Sequence, residues 1–524
     1  MAKDFTITGT CIPAENYMVD ITDKLGQIKK MIDRREYFVI NRGRQYGKTT
    51  TLKALKKYLT PAYTVISISF ESLDVEEFEN AHTFIQAFLR KIHTALKFSH
   101  VDPSYRASWL DENINSFNTL SDHITALCEG KKIVLMIDEV DKSSNNRVFL
   151  GFLSKLREKF LARKAGEDFT FHSVILAGIS DVRNIKLKLI QEGLHTQAPG
   201  EIATYNSPWN IASLFTIDMS FSPQEIAGML TSYEADHHSG MDIPLVAREI
   251  YHYTSGYPVL VSHICKNIAE GLDKDWTPSG VRRSVKLLLK EKSPLFDSLT
   301  KNLIHHTELY NLLVSLVIQK RKWSYNPDDE MIDFGVRYGY LTENDGTLAI
   351  ANKIFEIRLM NYFTTKKARE ELNTIGNTHT DDGGIVTDGQ LNMDVCLEKF
   401  SQYFQRYYSQ QDAGFLEREG RILFLMFIAP VLNGQGFAYI EAQSPDGKRT
   451  DVIVNYLNKQ YVIELKIWDG QKKHAEAIQQ LLGYMERFQT HQGYLLTFDF
   501  RSKKVRRHEW IDVGENRKIL DTMV

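Results

Sequence analysis

The sequence predicts an α/β protein made of two unlike sheet-containing parts, and three observations carry that prediction. Residues 37–220 alternate short, nearly continuous apolar runs with longer helical stretches. Such runs suit strands of a parallel sheet covered by helices on both faces. A polar, glycine-rich stretch, "NTIGNTHTDDGGIVTDGQ" at 373–390, then interrupts the pattern and reads as a linker. Beyond it, three strands joined by tight turns read as antiparallel hairpins set between helices, in the order αβββαβ.

The elements follow in order. Parallel strands are expected at 37–41, 62–70, 132–138, 171–179 and 214–221. From 222 to about 300 the pattern is helical, opened by a capping box in which Ser222 caps and Glu225 reaches back. Residues 306–364 read as helices followed by two short strands around "ENDGT", the outline of a small winged-helix domain. After the linker come helices at 394–409 and about 416–430, then the strands "FAYIEAQS", "TDVIVNYL" and "YVIELKIW". A helix at 470–488 and a strand at 493–500 complete the set, without internal repeats.

Bulk properties bound the function. The 524 residues suffice for about three domains at roughly 150 residues each. A formal net charge of −2 gives no global positive field, so any nucleic-acid contact needs a local patch. Cys11, Cys128, Cys265 and Cys396 form neither a C-x-x-C pair nor a zinc spacing, and read as buried, reduced thiols. The N-terminus lacks a secretion signal's apolar core, and no run approaches the ~18 apolar residues of a membrane helix. A cytoplasmic location without membrane partners is expected.

"NRGRQYGKTTTLKALKKYL" (41–59) nearly spells a phosphate-binding loop. Gly47-Lys48-Thr49 completes G-x-x-x-x-G-K-[ST], but Arg42 stands at the first glycine and Gly43 is one place late. The loop sits at a strand-to-helix turn, where backbone N–H groups and the helix dipole favour phosphate. Lys48 would reach the β- and γ-phosphates and Thr49 would ligate Mg²⁺, while Gly47 admits close backbone approach. An accidental match in a basic helix is the bland alternative. It loses weight because "IVLMIDEVD" follows, ending a strand in Asp138, for the Mg²⁺ shell, and Glu139, for the attacking water.

With "SVILAGISDVRN", "NSPWNIASLFTIDMSFSPQEI" and "YTSGYPVLVSHICKNI", these segments resemble the AAA-like ATPases whose loop reads approximately R-Q-x-G-K-T-[ST]. The likeness spans roughly residues 5–365 and is similar to the STAND-type branch of P-loop ATPases, in which a nucleotide switch controls an attached module. It implies ATP bound by Arg44, Gln45, Tyr46, Gly47, Lys48, Thr49 and Thr50, with Asp138 completing the Mg²⁺ site. The missing first glycine is shared with that group, and Arg42 and Arg44 offer side-chain charge to phosphate. The resemblance further suggests Ser180 or Asp181 as a sensor. Arg183 is open between a γ-phosphate contact and a structural salt bridge. "GYP" (256–258) suggests a packing turn of the lid.

The second site rests on Asp451, Glu464 and Lys466. A turn at Asn458-Lys459 would pair Leu457 with Gln460, setting Asp451 opposite Lys466 with Glu464 as diagonal neighbour. Even offsets put all three on one face. Two buried carboxylates need compensation, which a divalent ion bridging Asp451 and Glu464 supplies. Lys466 then orients water and stabilises the phosphorane charge. A solvated hairpin with a salt bridge is the plain alternative. Residues 394–510 nevertheless resemble the PD-(D/E)xK nucleases, with Glu419 (or Glu417) as the upstream acid and Gln480 with Tyr484 as their Q-x-x-x-Y; Thr450 replaces the proline.

The expected organisation is an ATPase core (1–221), helical lid (222–300), winged helix (301–365), linker (366–391) and nuclease domain (392–524). The expected function is an ATP-regulated nuclease using Mg²⁺, or Mn²⁺ at the second site, on DNA ahead of RNA. Domain logic suggests prokaryotic genome defence, and a homo-oligomer is left open. A signalling ATPase whose nuclease fold is a binding module, and a DNA repair or remodelling ATPase, are the alternatives. The basic runs at 501–510 and 319–323 read as charged surface ahead of phosphate contacts.

Overall fold

Tyr37, Phe38, Val39 and Ile40 leave neither face of an extended chain polar, so they form a strand covered on both sides, β1 (Tyr37–Asn41). β3 (Ile133–Asp138) and β4 (Ser173–Gly178) are likewise buried throughout, whereas β2 (Thr64–Ser69), at the sheet edge, leaves Thr64, Ser67 and Ser69 partly exposed. In the computed structural model these strands make one parallel sheet in the order β1–β4–β3–β2. The structure describes residues 3–99, 101–140, 147–178, 209–318, 321–375, 384–407, 417–432, 435–440, 452–457, 459–501 and 505–524.

One apolar cluster fills the sheet face under helices Ala81–Leu96, Phe117–Cys128 and Arg147–Ala165. The other lies under Thr22–Asp33 and Lys48–Leu59. The fifth strand expected at 214–221 does not form: a single parallel bridge, Phe38 with Ser213, joins this segment to the sheet. Phe215, Ile217 and Met219 are buried while Leu214 is 67% exposed. This one-sided alternation gives burial without a ladder, so the segment lies along β1 as an edge.

The chain divides into two compact units. The first comprises Met1–His237, Gly256–Ser262 and Phe334–Gly339, and the second comprises His238–Ser255, His263–Asp333 and Tyr340–Val524. The expected 222–300 lid is therefore shared between them. Its capping box is present, with Ser222 N donating to Glu225 Oε2 at 2.7 Å and Glu225 N donating to Ser222 Oγ at 3.1 Å. In the second unit, β5 (Leu341–Asn344) and β6 (Thr347–Ile350) flank a two-residue turn with positive φ at Asp345 and Gly346. Within the stretch read as a linker, helix Lys353–Ile375 runs through its start and a small hairpin, β7 (Val386–Thr387) with β8 (Gln390–Leu391), forms its end.

The C-terminal sheet has six strands: β9 (Gly436–Tyr439), β10 (Val452–Tyr456), β11 (Lys459–Ile467), β12 (Gln492–Phe498), β13 (Arg507–Asp512) and β14 (Lys518–Met523). Their order is β13–β14–β12–β11–β10–β9. β9, β10 and β11 are antiparallel, β11, β12 and β14 parallel, and β13 is an antiparallel edge. The expected αβββαβ core is thus extended by two strands. Part of the basic run at 501–510 belongs to β13, where Arg507 meets the buried Asp521 at 2.7 Å rather than offering a loose charged surface.

The expected β10–β11 register is corrected by two residues. Tyr456 pairs with Lys459 and Val452 with Ile463, so Leu457 lies in the turn instead of pairing with Gln460. Leu457 has φ +50°, the left-handed geometry of a two-residue hairpin turn. Both loops hold two residues, and the observed one lies one position earlier in the chain.

Candidate functional site

β1 delivers the 42–47 loop to the N-terminus of helix Lys48–Leu59, with Gly47 at φ +77° as its cap. Gly43 explains the displaced glycine. A Cβ there would lie 2.4 Å from the Tyr338 carbonyl oxygen, so only glycine admits this backbone against the loop. The Arg42 guanidinium donates to the carbonyls of Asn41 at 2.9 Å and Ile217 at 3.3 Å and stands 5.9 Å from the Phe215 ring centre. Arg44 is exposed, and its carbonyl accepts from Tyr257 Oη at 2.8 Å. Gln45 has φ +58°, and Tyr46 sits edge-on to Tyr257 with its hydroxyl 2.6 Å from Ser220 Oγ.

Lys48 Nζ donates to the carbonyls of Arg42 (2.9 Å) and Gly43 (3.0 Å), curled into the loop that phosphate oxygens would fill. Across the cleft, Thr49 Oγ1 donates to Asp138 Oδ2 at 2.7 Å. A hydroxyl and a carboxylate in contact are the hard oxygen donors that Mg²⁺ takes. Asp138 is buried at the end of β3, and its other oxygen accepts from Glu139 N at 2.9 Å. Glu139 has φ +54°, a conformation that costs a non-glycine residue about 1–3 kcal/mol. Thr50 Oγ1 accepts from Cys11 N at 3.4 Å. Ser180, Asp181 and Arg183 lie outside the described residues.

Sequence reasoning missed the N-terminal segment. A largely apolar cavity of about 350 Å³ opens beside Gln45, Tyr46 and Gly47, walled by Ile7, Tyr17 and Val19. Its position next to the phosphate loop suits a nucleotide base. Only weak signals exist for this in "TITGTCIPAENYMV": scattered apolar residues without a period. "GYP" acts as a packing turn: Phe221 N donates to the Gly256 carbonyl at 2.8 Å, and a Cβ on Gly256 would lie 1.9 Å from the Phe221 oxygen.

In the second unit, Glu464 is fully buried on β11, and its Oε1 lies 2.7 Å from Lys466 Nζ. Sheet parity sets their face. Gly493 lies against Leu481 and Met485 of helix Gln471–Arg487, where a Cβ would meet Met485 Sδ at 2.6 Å. Leu495 shares the face of Gly493 and pairs laterally with Glu464. Glu464 and Lys466 therefore face the helix that carries Gln480, whose Nε2 donates to Tyr484 Oη at 3.0 Å. Ile463, one residue before Glu464, pairs with Val452, one residue after Asp451. Asp451 lies outside the described residues, as do the side chains of Glu417 and Glu419; their helix, Glu417–Leu432, closes on Phe498 at Gly420. Among the described residues, no group of three or more His, Cys, Asp or Glu side chains could hold a metal ion. No helix among them is long and apolar enough to cross a membrane.

This loop, its capping helix and the carboxylate at the end of β3, one strand beyond β4 in the sheet, define a P-loop nucleotide site. Residues 26–277 match the family model described as "AAA-like domain", so the chain carries an AAA-like P-loop ATPase domain, with the ATP binding that goes with it. Among solved structures, a Walker-type ATPase of Pyrococcus abyssi is similar at 12% identity and TM-score 0.47, over 68% of this chain and 99% of that one. The ORC2 protein of Aeropyrum pernix is similar at 12% identity and TM-score 0.35, over 69% and 98%. A mutant form of RuvB from Thermotoga maritima is similar at 11% identity and TM-score 0.32, over 64% and 94%. Likenesses this distant carry no functional argument. No curated protein matches the chain.

Proposed function

We propose that the chain is an ATP-regulated, metal-dependent nuclease, with 301–365 as a winged helix and the C-terminal sheet as a PD-(D/E)xK domain. The observation that carries the nuclease reading is the buried Glu464 paired with Lys466 on one strand. A fully buried carboxylate is costly unless it serves a cation, and a lysine two residues on adds a second charge to the same strand face. Helices Thr307–Val317 and Glu330–Arg337 with the β5–β6 hairpin support the winged-helix reading.

Glu464, with Asp451, would hold Mg²⁺ or Mn²⁺, which when bound supplies Lewis-acid polarisation of the scissile phosphate. The chain's own groups do the rest. Lys466 Nζ, held by Glu464, orients the attacking water and balances negative charge on the phosphate. Gln480, fixed by Tyr484, donates an amide hydrogen toward the same face, and Glu419 serves as the upstream acid. In the first unit, Lys48 Nζ would exchange the loop carbonyls for the nucleotide phosphates, and Thr49 and Asp138 would hold Mg²⁺. Glu139 would orient water for hydrolysis, with Ser180 or Asp181 as the sensor and Arg183 open between a γ-phosphate contact and a salt bridge.

The test is cleavage of labelled DNA and RNA in Mg²⁺, with ATP present. Glu464→Ala should abolish cutting and Lys466→Ala should slow it while preserving metal binding by calorimetry. Wild-type rates in Glu464→Ala would place the chemistry elsewhere and favour a nuclease fold used only for binding.

A further inference from the structure

A chain of net charge −2 that acts on nucleic acid needs a local concentration of cations. The second unit holds one. Helix Pro278–Lys290 is capped by Thr277 and buries Val281, Val285, Leu288 and Leu289. Its four-residue spacing leaves Arg282, Lys286 and Lys290 in one row along the helix. A groove of about 720 Å³ runs from this row to the β10–β11 turn and the end of helix Gln471–Arg487. Its charged lining is Arg282, Arg283, Lys286, Lys459 and Arg487 against Glu249. A recess of about 270 Å³ shares Lys286, adds Lys290 and has no acidic residue in its lining.

The cations are not all accounted for by protein partners. Arg282 pairs with Glu249 at 3.1 Å and Arg283 with Asp275 at 2.7 Å. Among the described residues, Lys286, Lys290 and Lys459 have no ion-pair partner. Burial first, and then the Lys290 charge, lower the pKa of Lys286, as expected for a partly desolvated ammonium near a like charge. A second observation points to a ligand. Asn455, on β10 in the groove wall, is only 7% exposed, and its amide nitrogen has no acceptor among the described residues. An unsatisfied buried donor costs about 1–3 kcal/mol, so an oxygen acceptor belongs there.

We propose that this groove binds the sugar–phosphate backbone of a nucleic-acid strand, which deepens, and rests on, the nuclease reading. The cations continue through Lys286 from one recess to the next, which suits an extended polyanion better than a single phosphate. Phe488, half-buried in the lining with the Arg487 guanidinium 5.3 Å from its ring centre, forms with it a flat cation–aromatic pair on which a base can stack, which an acidic peptide would not need. Lys459 lies in the groove and begins the strand that carries Glu464 five residues on, about 17 Å away at ~3.3 Å per residue. The groove therefore grips substrate at a distance from the proposed cutting centre.

The test uses the full chain in EDTA, which separates binding from cutting, with fluorescein-labelled oligonucleotides followed by anisotropy across a salt series. Lys286→Glu with Lys459→Glu should weaken binding at least roughly tenfold. Lys286→Gln with Lys459→Gln, which keeps the surface polar, should lower the slope of log affinity against log salt by about one for each phosphate that the variant no longer neutralises. Thermal unfolding checks the fold of both. Unchanged affinity and slope in folded variants would overturn the proposal, as would a groove that binds inorganic triphosphate or polyglutamate but no oligonucleotide. Adding Mg²⁺ separates the two readings. A wild type that binds through the groove but never cuts refutes the nuclease and keeps the groove. One that cuts, with variants that bind equally well, does the reverse.

Discussion

At the residue scale, Lys48 and Arg42 sit in one loop but do different work. Lys48 Nζ is held by loop carbonyls that a phosphate would replace, whereas Arg42 is committed to Ile217 and Phe215. Lys48→Ala should therefore lower ATP affinity by at least roughly tenfold, since hydrogen bonds to charged groups contribute about 1.5–3 kcal/mol. Arg42→Ala should leave it within a few-fold. Calorimetry on both variants checks this, and the reverse ranking would contradict it. Gly47, Lys48, Thr49 and Asp138 were legible because phosphate chemistry demands their types at their spacing. Arg42 was not, because nothing in a motif says which way a long side chain turns.

His172 supplies a pH dependence. Its pKa is lowered to about 4, by burial first and then by Arg35, Arg163 and Lys132. The fold therefore keeps it neutral, while the unfolded chain protonates near pH 6.5. Between pH 6.5 and 4 the unfolded state binds the extra proton, so stability falls as pH falls, by up to roughly 3 kcal/mol. In urea titrations, His172→Leu should gain stability relative to wild type as pH drops through this window. Parallel pH profiles would refute it.

At the element scale, the β10–β11 turn carries a specific strain. Leu457 adopts φ +50°, which disfavours a γ-branched residue and suits asparagine. Leu457→Asn should raise stability by up to about 1 kcal/mol, read as a higher urea midpoint at unchanged slope. A lower midpoint would argue against the turn. The strands themselves were legible from their apolar runs, but register is set by turn geometry, which "YLNKQ" leaves ambiguous by two residues. The edge at 214–221 shows the same limit: its alternation gives its burial but not whether a ladder closes. β13 and β14 were not legible because "RRHEWIDV" and "KILDTM" mix charge into short strands, one of them at a sheet edge.

At the scale of the whole molecule, one chain carries an ATPase domain and a sheet in which the buried Glu464 lies beside Lys466. The sequence pattern separates two chemistries, but the compact units cut across it, because Gly256–Ser262 and Phe334–Gly339 fold with the ATPase core. Tyr257 and Tyr338, remote in sequence, thereby touch the phosphate loop at Arg44 and Gly43. Such contacts are closed by tertiary packing and leave no local pattern to read. From the proposal of an ATP-regulated nuclease, we infer that ATP loading switches cutting on. It is tested most directly by rates of DNA cleavage for wild type, Glu139→Gln and Lys48→Ala at saturating ATP and Mg²⁺. Glu139→Gln, which keeps ATP bound without activating water, should cut persistently, and Lys48→Ala should cut least. Three equal rates would contradict the account.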